Sequence, residues 1–144
     1  MNDDDRALGA AMASWLRAAR TIAHWGFALS CIAGLVLALT LRSLPLTSAM
    51  GFGAVAILGV LERYFALRCA FDAGLFDGLA HGRIAALPPL DAALERLGLR
   101  GTSGPVRSLD DRIQGTRLLL QRHAIVVACQ TAMFLLALLT QELR

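Results

Sequence analysis

Residues 22–41 read IAHWGFALSCIAGLVLALTL, a stretch of twenty residues whose only ionisable side chains are His24 and Cys31. An α-helix rises about 1.5 Å per residue, so this stretch matches the roughly 30 Å hydrocarbon core of a bilayer. A cleaved signal peptide is the alternative, but its apolar core usually has only about 7–15 residues. The stretch therefore predicts a transmembrane helix.

The whole chain carries the same excess of apolar side chains. Of its 144 residues, 56% are hydrophobic and 17% are charged, and the mean hydropathy is +0.57. Soluble domains are usually about 45–50% apolar and about 25% charged. A domain of this length has too little interior to hide the excess. The composition therefore excludes a disordered chain and argues against an ordinary soluble enzyme.

Two further uncharged stretches predict two more transmembrane helices. Residues 46–61 read LTSAMGFGAVAILGVL and residues 124–140 read AIVVACQTAMFLLALLT. No proline interrupts residues 46–82, which predicts one long helix that continues into water beyond the membrane. Ser108, three positions before Asp111, is typical of a capping box and predicts that the third helix begins in water near Leu109.

We therefore predict an all-α integral membrane protein with three transmembrane helices. The second and third are extended into the cytoplasm as an antiparallel helix pair, and a short helix lies in the connecting loop. The predicted segments are a cytoplasmic amphipathic N-terminal helix (1–21), the first span (22–41), a short external loop (42–45), the second span (46–63), its cytoplasmic extension (64–82), a cytoplasmic loop with a short helix (83–108), the cytoplasmic start of the third helix (109–123), the third span (124–140) and an external C-terminus (141–144).

The arginine positions predict the orientation. All 14 basic residues are arginines: three precede the first span, one follows it, nine lie between residues 63 and 122, and one is the last residue. The positive-inside rule then places the N-terminus in the cytoplasm and the C-terminus in the periplasm, across a bacterial inner membrane. The arginines suit contact with anionic lipid headgroups, whereas a net charge of +3 spread along the chain gives no sign of nucleic-acid binding.

The sequence contains none of the common catalytic or metal-binding motifs. There is no P-loop, GxSxG or HExxH motif, and the three cysteines are isolated in sequence. An odd, scattered set of cysteines argues against a disulfide framework and against a zinc site. We therefore expect no enzymatic activity and no cofactor.

Ionisable side chains at the predicted cytoplasmic ends of the spans are candidates for a site. The carboxylate of Glu62 is costly near hydrocarbon unless it is paired. We expect its partner to be Arg20 or Arg122 on a neighbouring helix, because adjacent residues point apart on a helix. His24 and His123 fall at a similar depth and either anchor helix ends at the headgroups or hold one haem b as two axial ligands.

Helix contacts inside the membrane are predicted from small and polar residues. Gln130 is the strongly polar residue deep in the third span, and we expect it to hydrogen-bond to another helix. Small residues at four-residue spacing let helix backbones approach closely. These are Gly26, Ser30, Gly34 and Ala38 in the first span, Ala66, Ala70, Gly74, Gly78 and Gly82 in the extension of the second, and Ala124, Ala128 and Ala132 in the third.

These features favour a non-catalytic, small inner-membrane subunit. We expect it to assemble with or anchor a larger membrane complex, or a homo-oligomer, through the small-residue faces and the cytoplasmic helix pair. One alternative is an oligomeric channel or ion-driven device, with Glu62, Gln130 or Thr131 lining a central pore. A second alternative is a haem-b membrane anchor or electron carrier that uses His24 and His123.

Overall fold

The computed structural model describes residues 2–99 and 108–142, and within these ranges the regular structure is entirely helical. Positions 100–107 of the predicted cytoplasmic loop and positions 143–144 of the predicted C-terminal tail lie outside the described residues. The helices are α1 (Asp3–Ala18), α2 (Arg20–Thr40), α3 (Leu46–Ala80), α4 (Leu87–Arg96) and α5 (Leu109–Glu142).

Three helical segments are long and apolar enough to cross a membrane, judged by length and composition. They are Asp3–Thr40, in which α2 follows α1 with one residue between them, Leu46–Ala80 and Leu109–Gln141. The prediction of an all-helical chain with three such segments is confirmed.

Short polar motifs begin two of the helices. The Asp111 backbone N–H donates to Ser108 Oγ at 3.1 Å, and the Ser108 N–H donates to Asp111 Oδ2 at 3.2 Å, which confirms the predicted capping box of α5. Asn2 and Asp5 form the same reciprocal arrangement at α1, with distances of 2.7 and 3.1 Å. Each motif satisfies backbone donors that the first turn of a helix leaves without an intrahelical partner.

The helices divide into two compact units. The first unit comprises Met1–Ala18 and Cys69–Leu118, and the second comprises Ala19–Arg68 and Leu119–Arg144. Both α3 and α5 therefore contribute residues to each unit.

In the first unit, α1 packs against the later part of α3. The buried residues of α1 are Gly9, Met12, Ala13 and Leu16. A Cβ added at Gly9 would lie 3.4 Å from the Phe76 carbonyl oxygen, so the two backbones are close. Arg112 of α5 forms an ion pair with the buried Asp91 of α4.

In the second unit, the apolar core lies among α2, α3 and α5. It consists of Leu29, Ala33, Phe52, Val55 and Ala137. The ring of Phe52 meets the Phe134 ring edge to face, with centroids 5.7 Å apart.

Glycines on α3 allow that core to close tightly. A Cβ at Gly51 would lie 2.8 Å from Ala137 Cβ, and one at Gly59 would lie 2.1 Å from Ser30 Oγ. A larger residue at either position would push α3 away from its neighbour.

The second unit buries several polar side chains beside its apolar core and exposes large apolar ones. Its buried polar residues are Ser48, Glu62, His123 and Gln130, all at 1% exposure or less. Large apolar side chains lie on its surface, with exposures of 75% for Leu39 and 74% for Val60. This is the reverse of the usual distribution in water, where buried charged side chains are rare and a large contiguous apolar surface marks an interaction site.

Candidate functional site

A buried carboxylate forms the centre of the polar interior of the second unit. Glu62 on α3 is fully buried. Arg63 Nε donates to its Oε2 at 2.6 Å, and Arg63 Nη2 donates to its Oε1 at 2.7 Å. His123 on α5 places Nε2 3.1 Å from the same Oε1. Both carboxylate oxygens are therefore hydrogen-bonded, which offsets the cost of burying the charge.

The prediction that Glu62 pairs with Arg20 or Arg122 is wrong. Both of those arginines are exposed, and among the residues that the structure describes the ion pairs of Glu62 are with Arg63 and His123. Neighbouring side chains do leave a helix in different directions, but the arginine side chain is long enough to fold back onto the carboxylate.

Contacts with α2 hold the Arg63 side chain in that position. Its Nη2 also donates to the Ala23 carbonyl oxygen at 2.6 Å. Its guanidinium lies 4.8 Å from the centre of the Phe27 ring, a cation–π distance. Arg63 therefore connects α3 to α2 while it neutralises Glu62.

Gly26 is the point at which α2 approaches Glu62. A Cβ at this position would lie 2.8 Å from Glu62 Cγ and 3.1 Å from Val127 Cγ2. Both distances are shorter than ordinary van der Waals contacts, so a glycine at this position lets the three helices meet.

Gln130 on α5 binds α2 through its amide nitrogen. Its Nε2 donates to the Gly26 carbonyl oxygen at 3.0 Å and to Ser30 Oγ at 2.7 Å. The Ser30 hydroxyl donates its own hydrogen to the Gly26 carbonyl oxygen at 3.0 Å, so it is an acceptor for Gln130. That pattern fixes which end of the amide faces α2.

The hydrogen bonds of His123 argue for a neutral ring. Its Nε2 faces a carboxylate oxygen and must carry the hydrogen. Its Nδ1 is buried and has no hydrogen-bond partner among the described residues. An imidazolium would bury that second N–H without an acceptor, whereas the neutral tautomer leaves only a lone pair there. The buried group then consists of one carboxylate, one guanidinium and one neutral imidazole, with no net charge.

His24 is not part of this cluster. Its side chain is exposed, whereas His123 is 99% buried and directs Nε2 at Glu62. Two axial haem ligands must face each other with free nitrogens, and the structure does not bring these two imidazoles into that arrangement. Nor do the described residues contain a group of three or more His, Cys, Asp or Glu side chains that could hold a metal ion.

The small-residue stripes are divided between the interior and the surface. In α2, Gly26 is buried and Ser30 is partly buried, whereas Ala38 is exposed and a Cβ at Gly34 would meet no atom within 4 Å. In α5, Ala124 is partly buried but Ala128 and Ala132 are exposed, because the inward face runs through His123, Val127, Gln130 and Ala137.

The stripe on α3 is likewise not one continuous contact face. Ala66 is partly buried, Ala70 and Gly74 are exposed, and Gly78 packs against Ile84. Gly82 lies beyond the helix in a turn at φ +69°, a conformation that favours glycine.

Sequence reasoning missed several close contacts between helices. Gly51 and Gly59 make the tight approaches on α3, and they share a face with Phe52, Val55 and Glu62 at roughly helical spacing. Trp25 Nε1 donates to Thr131 Oγ1 at 3.1 Å, and the hydroxyls of Ser48 and Thr140 lie 3.0 Å apart. The close approaches at Gly51 and Gly59 could have been identified from the helical spacing of small and polar residues on α3.

A separate charged group lies in the first unit around Asp77. Arg17 Nη1 donates to Asp77 Oδ1 at 2.9 Å, Arg83 pairs with Oδ2, and His81 Nδ1 lies 3.5 Å from Oδ1. The hydrogen bond from Arg17 is the main reason that the pKa of the Asp77 carboxyl is lowered. Burial opposes this shift, and the positive charges of His81, Arg83 and Arg17 lower the pKa further.

The two polar groups differ in what they can do. The Asp77 group is open to solvent and contains more positive than negative side chains, whereas the Glu62 group is buried, neutral overall and bonded to three helices. The second arrangement joins three helices. Comparison of the chain with protein-family models, with curated proteins and with solved structures finds no match.

Proposed function

We propose that the chain is a three-span protein of a bacterial inner membrane, with a cytoplasmic N-terminus and a periplasmic C-terminus. The reversed polarity of the second unit is the observation that carries the membrane assignment: Leu39 and Val60 are about three-quarters exposed, whereas Glu62 is fully buried. The excess of arginines between residues 63 and 122 supports the orientation.

The second span in this proposal reaches Leu67, beyond the predicted end at residue 63. Large exposed apolar side chains lie along α3 from Leu46 to Phe71, and the part up to Leu67, before the charge of Arg68, is about 32 Å long at 1.5 Å per residue. The division between the two units falls directly afterwards, between Arg68 and Cys69. The Glu62 cluster then lies about one and a half turns inside the apolar layer.

An antiparallel arrangement of α3 and α5 is part of the same proposal. Residues nearer the start of α3 contact residues nearer the end of α5, and later residues of α3 contact earlier residues of α5. In the second unit Ser48 meets Thr140 and Glu62 meets His123, and in the first unit Asp72 accepts a hydrogen bond from Thr116 at 2.9 Å. The parts of both helices beyond the span form the cytoplasmic pair, and α4 lies in the sequence that connects them.

Within this topology the chain acts as a non-catalytic assembly or anchoring subunit. The inward face of α5 is occupied by contacts to α2 and α3, while Ala128 and Ala132 remain exposed on its outer face. Exposed small residues allow a further helix to pack closely in a bilayer. A second copy of this chain is the partner to be tested first, and subunits of a larger membrane complex are the other class.

Natural cysteines provide the test. Cys129 is exposed on the outer face of α5 and Cys31 is exposed on α2, whereas Cys69 is buried. A C31S/C69S variant keeps only Cys129, and a C69S/C129S variant keeps only Cys31 as a matched control. Mild oxidation in native membranes is expected to cross-link the first variant into dimers and to leave the second as monomers.

Native mass spectrometry in mild detergent completes the test. We expect a homo-oligomer or a complex with another membrane protein, and we expect A128L/A132L to reduce it. A monomer with no partner in mild detergent, together with no cross-link through Cys129, contradicts the proposal.

The geometry gives less support to the two alternatives. A pore lined by Glu62 or Gln130 requires these side chains on the outer surface of the bundle, but both are fully buried against their own helices. Thr131 is partly buried and bonded to Trp25 and to the Val127 carbonyl. For the haem alternative, a Soret band in the purified protein that is lost in H123A would favour it over the assembly role.

A further inference from the structure

The guanidinium of Arg63 has one nitrogen left over from the Glu62 cluster. Its Nε and Nη2 make hydrogen bonds, but Nη1 has no hydrogen-bond partner among the described residues. The side chain is 44% exposed. Around it on α3 the exposed neighbours Val60, Tyr64 and Leu67 are apolar or aromatic. A guanidinium N–H pair at the surface of an apolar layer requires a polar partner.

Arg20 is a second cation on the face of α2 that Arg63 contacts. Arg63 lies over α2 at Ala23 and Phe27. Arg20, Ala23 and Phe27 stand at positions i, i+3 and i+7 of α2 and therefore share a face. Arg20 is exposed and forms no ion pair with a described residue. Both oxygens of the nearby carboxylate, Glu62, are already occupied by Arg63 and His123.

The charge at this end of the second unit favours an anion. The stretches 19–27, 60–68 and 119–123, which form this end, contain one acidic residue, Glu62, and four arginines. In contrast, the loop between α2 and α3 at the other end contains one arginine, Arg42, and no acidic residue. The arginines at the first end are Arg20, Arg63, Arg68 and Arg122.

We propose that Arg20 and Arg63 together bind the phosphate of an anionic phospholipid at the surface between α2 and α3. Arg63 Nη1 and the Arg20 guanidinium donate to the phosphate oxygens, for which the planar arginine head is well suited. The acyl chains lie towards the opposite end of the unit, along Phe27 and Val60, whose side chains are 49% and 74% exposed. The assignment of the source as a lipid rests on the proposed membrane location.

The experiment measures lipid binding to the purified full-length protein. Native mass spectrometry follows titration with phosphatidylglycerol, with phosphatidylcholine, or with inorganic phosphate. We expect phosphatidylglycerol to be retained in preference to phosphatidylcholine, and inorganic phosphate not to be retained. Arg20→Gln is expected to weaken phosphatidylglycerol binding about fivefold, since one cation near an anionic surface contributes about that factor.

Two further variants keep the result interpretable. Arg42→Gln makes the same charge change in the loop between α2 and α3 and is expected to leave binding unchanged. Arg63→Gln is expected to weaken binding at least as much as Arg20→Gln, provided that circular dichroism shows native helix content. Arg20→Gln carries the test by itself if Arg63→Gln does not fold.

Three results would overturn the proposal. The first is that Arg20→Gln binds phosphatidylglycerol as tightly as the wild-type protein does. The others are equal retention of both lipids, and retention of inorganic phosphate without lipid preference. Cross-linking through Cys129 is an independent measurement. If Cys129 does not cross-link but phosphatidylglycerol is still preferred over phosphatidylcholine, the assembly role alone is refuted. If Cys129 cross-links but that lipid preference is absent, the lipid site alone is refuted.

Discussion

His123 Nε2 lies 3.1 Å from Glu62 Oε1, and neither side chain is more than 1% exposed. One residue belongs to α5 and the other to α3, so their hydrogen bond joins two long helices where water does not compete. Arg63 holds the same carboxylate and continues the connection to the Ala23 carbonyl of α2. A change at Glu62 therefore affects contacts of all three helices.

Glu62→Gln tests the contribution of that charge. Glu62 accepts three hydrogen bonds from Arg63 and His123. The amide keeps the shape of the side chain but has one acceptor oxygen in place of two and no charge, so we expect the free energy of unfolding to fall by about 1–3 kcal/mol. The loss stays below that of a fully buried ion pair because Arg63 is 44% exposed and keeps its hydrogen bond to the Ala23 carbonyl. Chemical denaturation in detergent micelles measures the change.

The exposed residue Glu95 provides the matched control. Glu95→Gln removes the same charge from the surface of α4 and is expected to change the free energy of unfolding by less than about 0.5 kcal/mol. Equal effects of the two substitutions would show that the buried cluster does not join the helices.

Gly26→Ala and Gly34→Ala form a matched pair on one helix. A methyl group at Gly26 meets Glu62 Cγ at 2.8 Å and Val127 Cγ2 at 3.1 Å, while one at Gly34 meets no atom within 4 Å. We expect Gly26→Ala to lower the free energy of unfolding by about 1–3 kcal/mol through overpacking. Gly34→Ala is expected to be neutral or stabilising by up to about 1 kcal/mol, because alanine favours the helix.

The same denaturation experiment decides between the two glycines. Equal stability of the two variants would contradict the close contact of α2 with Glu62. A Gly26→Ala variant that unfolds like the wild type, with Gly34→Ala destabilised, would show that α2 is packed at Gly34 and not at Gly26.

The helical content was predictable from the sequence because it depends on signals within one segment. The uninterrupted apolar runs, the Ser108–Asp111 motif and the absence of proline between residues 46 and 82 each act locally. They indicated α2, α3 and α5 together with the start of α5 at Leu109, as the structure has them.

The partner of Glu62 was not predictable in the same way. The sequence places Glu62 and His123 near the ends of two apolar runs, but it does not give the rotation of either helix about its axis. The spacing rule considers Cβ directions, whereas the observed contact depends on the full length of Arg63 and on its support by Ala23 and Phe27. For the same reason the sequence predicted a packing role for Ala128 and Ala132 as it did for Gly26, although both alanines are exposed and Gly26 is buried.

Asp77→Asn tests the charged group of the first unit through its pH dependence. The folded pKa of Asp77 lies below the ordinary value of 3.8, chiefly because Arg17 donates a hydrogen bond to the carboxylate. Its stabilising contribution is therefore complete above the ordinary pKa and is lost as the pH falls through the lower, folded pKa. We expect the stability difference between wild type and Asp77→Asn to be constant at neutral pH and to shrink in this acidic range.

Denaturation of both proteins from neutral pH down to pH 2.5 measures that difference. Asp110→Asn, at an exposed residue of α5, serves as the carboxylate control. A difference between wild type and Asp77→Asn that grows as the pH falls would contradict the paired state of Asp77, because it would require a raised folded pKa.

His123→Gln and His123→Leu test the assignment of a neutral imidazole. The glutamine amide donates one hydrogen bond to Glu62, as the neutral ring does through Nε2, and it leaves the net charge of the cluster unchanged. We therefore expect His123→Gln to lower the free energy of unfolding by less than about 1 kcal/mol, and His123→Leu by about 1–3 kcal/mol because Glu62 then lacks a donor. If His123 were a cation, His123→Gln would also remove a charge from the cluster and would lower the free energy of unfolding by more than about 1 kcal/mol. Nitrogen-15 NMR of the wild-type ring gives an independent readout, since a neutral imidazole has two widely separated nitrogen resonances and an imidazolium has two close together.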